Sequence, residues 1–355
     1  MPVTDLPKRM TIGDIARLAG VARSTVSEVV NNDPKSRVSR KTFEKVRRII
    51  DEYDYVPSPQ ARALTTRKTR QLGFLVSATA TLGLANSYFS LILAGIEKAC
   101  TERDYRCLVS RYDLSQVENF VTPPELRQRS IDGLIIAGIL GDSSAQLKSL
   151  GIPIGVVGVG NDDAFFQIDR DIVGTYGEAF RYLAKEGHRC ILLPYLGDVE
   201  LQELRGAVEA CNAELKEPLI PVFISGLNEE NEFDHGTRLA ELVLSDPRYQ
   251  ECTALLANDQ ICCGFMCRMH RSGKRFPDDF SVVSHNDSPA CQWNTIPITS
   301  CGAAPVQHGY IMASRIIDLL EEKKSPGEVR GELRKWHIPL PLTVRESSGK
   351  APSVI

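Results

Sequence analysis

Thr11-Ile-Gly-Asp-Ile-Ala-Arg-Leu-Ala-Gly-Val-Ala-Arg-Ser-Thr-Val-Ser27 decides how this chain is read. Ile12, Ile15, Ala16 and Ala19 recur at helical spacing and give one apolar face. Thr11 stands before them as an N-cap, with Asp14 three residues on in a capping-box arrangement. Gly20 breaks this helix and permits a sharp turn. A second face follows with Val26, Val29 and Val30, and Asn31-Asn-Asp-Pro34 ends it. Ser39 can cap a third helix with Phe43, Val46, Ile49 and Ile50 on its core side. Three short helices with a glycine turn between the first two make a helix-turn-helix.

In that motif the second helix lies in the DNA major groove, with its N-terminal residues at base edges. With Val26, Val29 and Val30 pointing inward, Arg23, Ser24, Ser27 and Glu28 face out as candidate base contacts. Arg23 can bond guanine in a bidentate way, and Ser24 can give or accept a hydrogen bond. Thr11, Thr25, Asn31 and Arg40 are candidate backbone contacts, and Ser27 could serve there too. Charge agrees. Residues 1–70 hold fifteen Lys/Arg against eight Asp/Glu, whereas the whole chain holds 42 against 45. A basic head on an acidic body suggests that the head alone meets a polyanion.

Residues 11–27, with Asn31, Asn32 and the later Tyr55-Val-Pro57, closely resemble the head of the lactose-repressor (LacI/GalR) family of bacterial transcription regulators. The resemblance implies a DNA-binding head over 1–57, a hinge over 58–70 and an effector-binding and dimerisation domain over 71–355. Two departures stand out. The family usually has arginine where Glu28 stands; a carboxylate can accept from cytosine N4 but not from guanine O6 or N7, which puts the operator sequence in doubt. Ala22 replaces a frequent capping serine. In the hinge, Ser58 can cap a helix and Pro59 suits its first turn, but so short a helix is marginal in water. The resemblance implies that it folds on DNA, with Leu64 wedged into the minor groove and Ala61 against its dimer mate. The family usually has asparagine at Ser58. A flexible basic linker is the plainer alternative.

Beyond Gln71, apolar runs such as Gly73-Phe-Leu-Val-Ser77, Gly133-Leu-Ile-Ile136, Ile154-Gly-Val-Val157, Ile191-Leu-Leu193, Ala254-Leu-Leu-Ala257 and Phe280-Ser-Val-Val283 alternate with helical stretches. That pattern predicts α/β architecture, with parallel sheets covered by helices on both faces, in two lobes. The body resembles the family's periplasmic-binding-protein-like domain at Ser87-Tyr-Phe89, Ile131–Ile136, Gly151-Ile-Pro153, Glu186-Gly-His-Arg189, Ala257–Gln260, Ser281-Val-Val283 and Pro341–Ser347. It implies an N-lobe of about 71–170 and 300–331 and a C-lobe of about 171–298 and 332–347.

Ligands of open parallel sheets sit beyond the carboxyl ends of the strands, here between the lobes. Tyr88, Phe89 and Ile92 match an apolar edge of the family pocket; Asn258, Asn286 and Asp287 follow strand ends and suit a hydroxyl-rich, sugar-like or nucleoside-like effector. Tyr88 and Phe89 could equally be core residues, and Asn258 and Asp259 could cap the next helix. Where family members often carry arginine three residues before a helical glycine, this chain has Glu203, with Arg205 displaced by two. Asn286 replaces a usual aspartate, so neither a common hexose nor a carboxylate-bearing effector is assumed. Asn231 or Phe233 is a candidate for the facing wall.

The leading expectation is a cytoplasmic, homodimeric repressor that binds a pseudo-palindromic operator and responds to a small effector. The competing reading is a solute-binding protein with a non-functional head. It requires export, yet Met1–Met10 lacks the apolar core of a signal peptide. No apolar run approaches a membrane span. The ten cysteines form no CxxC pair and read as reduced thiols; Cys262, Cys263 and Cys267 cluster without a histidine at zinc spacing, so neither metal nor cofactor is expected. His285 beside Asp287 is the one provocative pair for catalysis. No GxSxG, Walker, HExxH or complete GxGxxG motif accompanies it, and Gly158-Val-Gly160 alone is weak. An enzyme is not expected.

Overall fold

Two units divide the chain, Met1–Arg70 and Gln71–Ile355. The computed structural model describes residues 10–30, 37–56, 63, 68–77, 83–112, 130–137, 144–158, 165–168, 172–195, 198–226, 231–302, 304–335 and 342–352.

The first unit holds α1 (Ile12–Ala19), α2 (Arg23–Val30) and α3 (Arg40–Glu52). Its core is Ile15, Ala16, Ala19, Val26, Val29, Val46 and Ile50 from the predicted faces, joined by Tyr55, while Ile12, Val30, Phe43 and Ile49 pack against it partly buried. Both halves of the capping box form: Asp14 N donates to Thr11 Oγ1 at 3.3 Å and Thr11 N to Asp14 Oδ2 at 3.1 Å. Gly20 ends α1 in the left-handed region at φ 65°, a conformation open to glycine at no steric cost. Ser39 caps α3 by accepting from Thr42 N at 3.2 Å.

The second unit contains two sheets. In the N-lobe, β1 (Gln71–Ser77), β2 (Arg106–Tyr112), β3 (Gly133–Ala137), β4 (Ile154–Val157) and β5 (Phe166–Gln167) form a parallel sheet in the order β2-β1-β3-β4-β5. Helices α4 (Ser87–Glu102), α5 (Ser144–Lys148), α11 (Pro305–Leu320) and α12 (Pro326–Lys335) accompany it. In the C-lobe, β6 (Cys190–Pro194), β7 (Ile220–Ile224), β8 (Cys252–Ala257), β9 (Ser281–Ser284), β10 (Thr299–Cys301) and β11 (Leu342–Thr343) are ordered β11-β10-β9-β8-β6-β7. The helices there are α6 (Ile172–Lys185), α7 (Asp198–Asn212), α8 (Glu232–Ser245), α9 (Asp259–Arg271) and α10 (Pro289–Trp293). Strands β3, β4, β6 and β9 are buried throughout, as apolar runs sandwiched between helices must be.

The C-lobe sheet departs from the all-parallel expectation, because β11 runs antiparallel to β10. The parallel strands point their carboxyl ends at the crevice. A chain arriving from the other lobe starts at that end and must run away from it. Strand pairing and burial mark how far the chain stays in each lobe. Thr299 and Ser300 pair with β9, so the second passage follows Cys301. Val329 and Leu333 of α12 are buried in the N-lobe core, which keeps the chain there through Lys335.

In each lobe two helices touch backbone to backbone at glycines. A Cβ on Gly95 would lie 1.9 Å from Val306 O, and one on Gly309 2.0 Å from Ile92 O, joining α4 to α11. In the C-lobe a Cβ on Gly236 would lie 2.0 Å from Ile261 O, and one on Gly264 1.9 Å from Phe233 O, joining α8 to α9. Among the described residues no helix is long and apolar enough to cross a membrane.

Candidate nucleic-acid interface and effector crevice

The first turn of α2 is the open part of the head. Arg23 and Ser24 are exposed, Thr25, Ser27 and Glu28 are half-buried, and Val26 and Val29 close the inner face. The Arg23 guanidinium rests beside the start of α1, where a Cβ on Gly13 would meet its Nη2 at 3.0 Å. A glycine there leaves room for the guanidinium. Thr11 is exposed, but its hydroxyl also donates to Asp14 Oδ2 at 2.7 Å, so the cap already engages it. Arg40 is exposed at the start of α3 and pairs with Glu44 at 2.9 Å, a contact that water and salt screen readily. Asn31, Ala61 and Leu64 lie outside the described residues.

At the crevice the N-lobe offers the start of α4. Asn86 caps that helix by accepting from Tyr88 N at 2.9 Å. Tyr88 is half-buried and stands edge-on to Phe89, ring centroids 5.5 Å apart. Phe89 and Ile92 belong to the lobe core, and Ile92 has no exposed surface. Their spacing in α4 puts both on the face against the sheet, so of the three only Tyr88 reaches outward.

The C-lobe offers the carboxyl ends of β8, β9 and β10. Asn258 follows β8 and caps α9, accepting from Ile261 N at 2.9 Å, the plainer of its two sequence readings. Asp259 is buried, accepts from the Ser284 hydroxyl, and accepts from Ser288 N at 2.7 Å. Asn286 is half-buried, and its N–H points to Ser284 Oγ at 3.5 Å. Asp287 has φ 50° and pairs with Arg345 at 2.8 Å, while its N–H donates to Ser300 Oγ at 3.0 Å. His285 meets Tyr176 edge-on at 5.2 Å. On α7, Glu203 is half-buried, and the exposed Arg205 places its guanidinium 5.3 Å from the Phe223 ring centroid. Arg205 is thus held by a cation–π contact on β7. Among the described residues no group of His, Cys, Asp and Glu could hold a metal ion.

Residues 11–58, spanning the three-helix unit, match the family described as bacterial regulatory proteins, lacI family. Residues 180–348 match the periplasmic binding protein-like domain. The head thus matches the lacI family and the body the periplasmic binding protein-like domain. It is 28% identical over 328 residues to the HTH-type transcriptional repressor PurR of Vibrio parahaemolyticus, covering 88% of this chain and 94% of that one. A crystal structure of the lac repressor dimer bound to operator and the anti-inducer ONPF superposes with a TM-score of 0.78 at 25% identity, covering 96% of this chain and 99% of that one. The complex of the transcriptional regulator CelR with cellobiose gives a TM-score of 0.63 at 26% identity, covering 96% and 100%.

Two polar residues of the body escaped the sequence reading. Asn86 Nδ2 donates to Glu232 Oε1 at 2.8 Å, a buried hydrogen bond from the N-lobe to the C-lobe. Gln260 Nε2 adds a weaker one to Ala85 O at 3.4 Å. Burial pushes the Glu232 carboxyl up to about 7, nearby Glu200 and Asp259 add to the rise, and the Asn86 bond opposes it. Glu232 lies in the run Asn-Glu-Glu-Asn-Glu232, which locally reads as a solvated polar loop. The only available signal is Asn231 as the cap of α8, which it is, accepting from Asp234 N at 2.9 Å.

Proposed function

We propose that this regulator represses transcription by placing the first turn of α2 in a major groove, and that a small polar effector held between the body lobes sets how tightly it does so. The carrying observation is the exposed Arg23–Ser24 pair at the open end of a helix whose other face is sealed by Val26 and Val29. Arg23 pairs with a guanine. Ser24, Ser27 and Glu28 read neighbouring base edges, with Glu28 accepting from cytosine N4. Thr11, Thr25, Asn31 and Arg40 position the backbone. Residues 1–57 are the DNA-binding head and 58–70 the hinge, with Ala61 and Leu64 at the minor groove. Two heads on a homodimer suit a pseudo-palindromic site. The lac repressor dimer and its operator support this part of the reading.

The effector is sugar-like or nucleoside-like. CelR with cellobiose supports the site, and the C-lobe strand ends supply the polar groups, Asn258, Asn286 and Asp287, with Tyr88 on the N-lobe. Phe89 and Ile92 shape that edge from beneath, and Glu203 and Arg205 border it from α7. An effector acts by binding the two lobe arrangements with different affinity; equal affinity would shift nothing. The protein works in the cytoplasm and performs no catalysis.

The test is selection of bound duplexes from random DNA, alone and with a panel of sugars and nucleosides, for the wild type and Arg23→Ala. The wild type enriches a two-fold symmetric site. Arg23→Ala loses about 1–3 kcal/mol on that site and relaxes one base position per half. Equal loss on random DNA would remove Arg23 as a base reader.

A further inference from the structure

Cys190 opens β6 and Cys252 opens β8, and the two face each other across the sheet. Their sulfurs are 2.6 Å apart. Residues directly opposite on regular parallel strands project side by side rather than toward one another. Here the register breaks: Cys190 pairs with Cys252, but Ile191 pairs with Ala254, which leaves Thr253 as an extra residue on β8. A bulge of this kind re-aims side chains. The Thr253 hydroxyl is held by His188 Nδ1 at 2.8 Å, and His188 Nε2 by Gly349 O at 3.1 Å, so the bulge is anchored on two sides. Both cysteines belong to the same side of the C-lobe core, with 8% and 5% of their surface exposed.

We propose that Cys190 and Cys252 form a reversible dithiol–disulfide site, closed by a peroxide-class oxidant and reopened by a thiol reductant. Neighbouring strands about 4.7–4.9 Å apart lie within the Cα separation that a disulfide spans. Either thiol can donate to the other across this contact, which favours a thiolate on its partner and lowers the Cys190 thiol below its ordinary value. Burial drives Cys100, Cys107, Cys262 and Cys291 the other way. The thiolate of the pair is the nucleophile, written here on Cys190. Its thiolate attacks one peroxide oxygen, the O–O bond breaks, and hydroxide leaves, giving a Cys190 sulfenic acid. The Cys252 sulfur then attacks Cys190 sulfur. The S–S bond forms, the S–O bond breaks, and water leaves with the Cys252 proton. Two thiols are oxidised and one hydrogen peroxide is reduced to two waters. In a reducing compartment such pairs serve sensing or catalysis rather than permanent bracing.

The experiment treats the full-length reduced protein with equimolar hydrogen peroxide, alkylates the remaining thiols, and maps peptides under non-reducing conditions. The expected result is loss of two of the ten thiols, a single cross-linked pair joining the peptides of Cys190 and Cys252, and full recovery of both thiols with dithiothreitol. Cys190→Ser should stop the two-thiol loss under the same dose, as should Cys252→Ala. Mapping the wild type needs no variant to fold. A cross-link confined to other cysteines, or oxidation of Cys190 to sulfinic acid with Cys252 still free, would overturn the assignment.

Discussion

In the N-lobe, α4 and α11 meet at Gly95 and Gly309; in the C-lobe, α8 and α9 meet at Gly236 and Gly264. Each joint brings a Cβ position to within about 2 Å of a carbonyl oxygen on the opposite helix, at both glycines. The lobes solve the same packing problem in the same way, by removing side chains where two backbones touch. They differ where the helices end at the crevice. Asn86 caps α4 and leads into an aromatic edge, Tyr88 and Phe89. The C-lobe presents carboxyl groups instead: Glu232 at the first turn of α8 and Asp259 at the first turn of α9, both buried. Similar joints with dissimilar ends suggest a division of labour. The joints fix how closely each lobe's helices pack, and the ends set the polarity of the crevice edge each lobe presents.

The largest effects should come from breaking the joints. Gly95→Ala and Gly264→Ala each push a methyl into a backbone carbonyl that no rotamer change can move. Each should cost about 3 kcal/mol or more, at the upper end of overpacking penalties. Chemical denaturation of both variants checks this. Comparable losses would support equivalent joints; a cost under about 1 kcal/mol in one lobe would show that this lobe can spread its helices.

The unequal ends are tested by pH. Glu232 holds its proton up to about 7 in the folded protein, against an ordinary value of 4.5. Between those values the folded state binds more protons than the unfolded one, so stability falls as pH rises through that window. The contribution is fully present below about 4.5 and lost above about 7. Glu232→Gln keeps an acceptor for Asn86 and removes the charge. It should match the wild type near pH 5 and exceed it by roughly 3 kcal/mol near pH 8, the free-energy equivalent of the shift. Denaturant midpoints measured across that range decide it. A wild type with no extra pH dependence relative to the Gln variant would mean that water reaches the carboxylate.

These features differ in how far they could be read from the chain alone. The head was legible because its determinants are local: Thr11 and Asp14 are three residues apart, and Gly20 sits at the turn it permits. The body strands were legible because burial on both faces writes an unbroken apolar run. The crevice was legible only in part. Asn258 and Asp287 do follow strand ends, but whether such a residue caps a helix, pairs with Arg345 or faces a ligand depends on neighbours far along the chain. Glu232 finds its partner 146 residues away, and Cys190 meets Cys252 across 62, so neither pairing leaves a local pattern. Ile92 shows the opposite case: its position matches a pocket edge, and its helical spacing sets it in the core beneath that edge.

The smallest effect separates crowding from composition as the reason these helices carry glycine. Gly206 lies within α7 of the C-lobe, yet a Cβ there would meet nothing within 4 Å. With no close approach to protect, this glycine only adds backbone freedom to the unfolded chain. Gly206→Ala should therefore raise stability by about 0.5–1 kcal/mol, opposite in sign to Gly264→Ala on the same lobe. Thermal unfolding of the pair at one pH makes the contrast direct. If both substitutions destabilise, carbonyl contact is not what distinguishes the joint glycines, and the parallel drawn between α4–α11 and α8–α9 loses its physical basis.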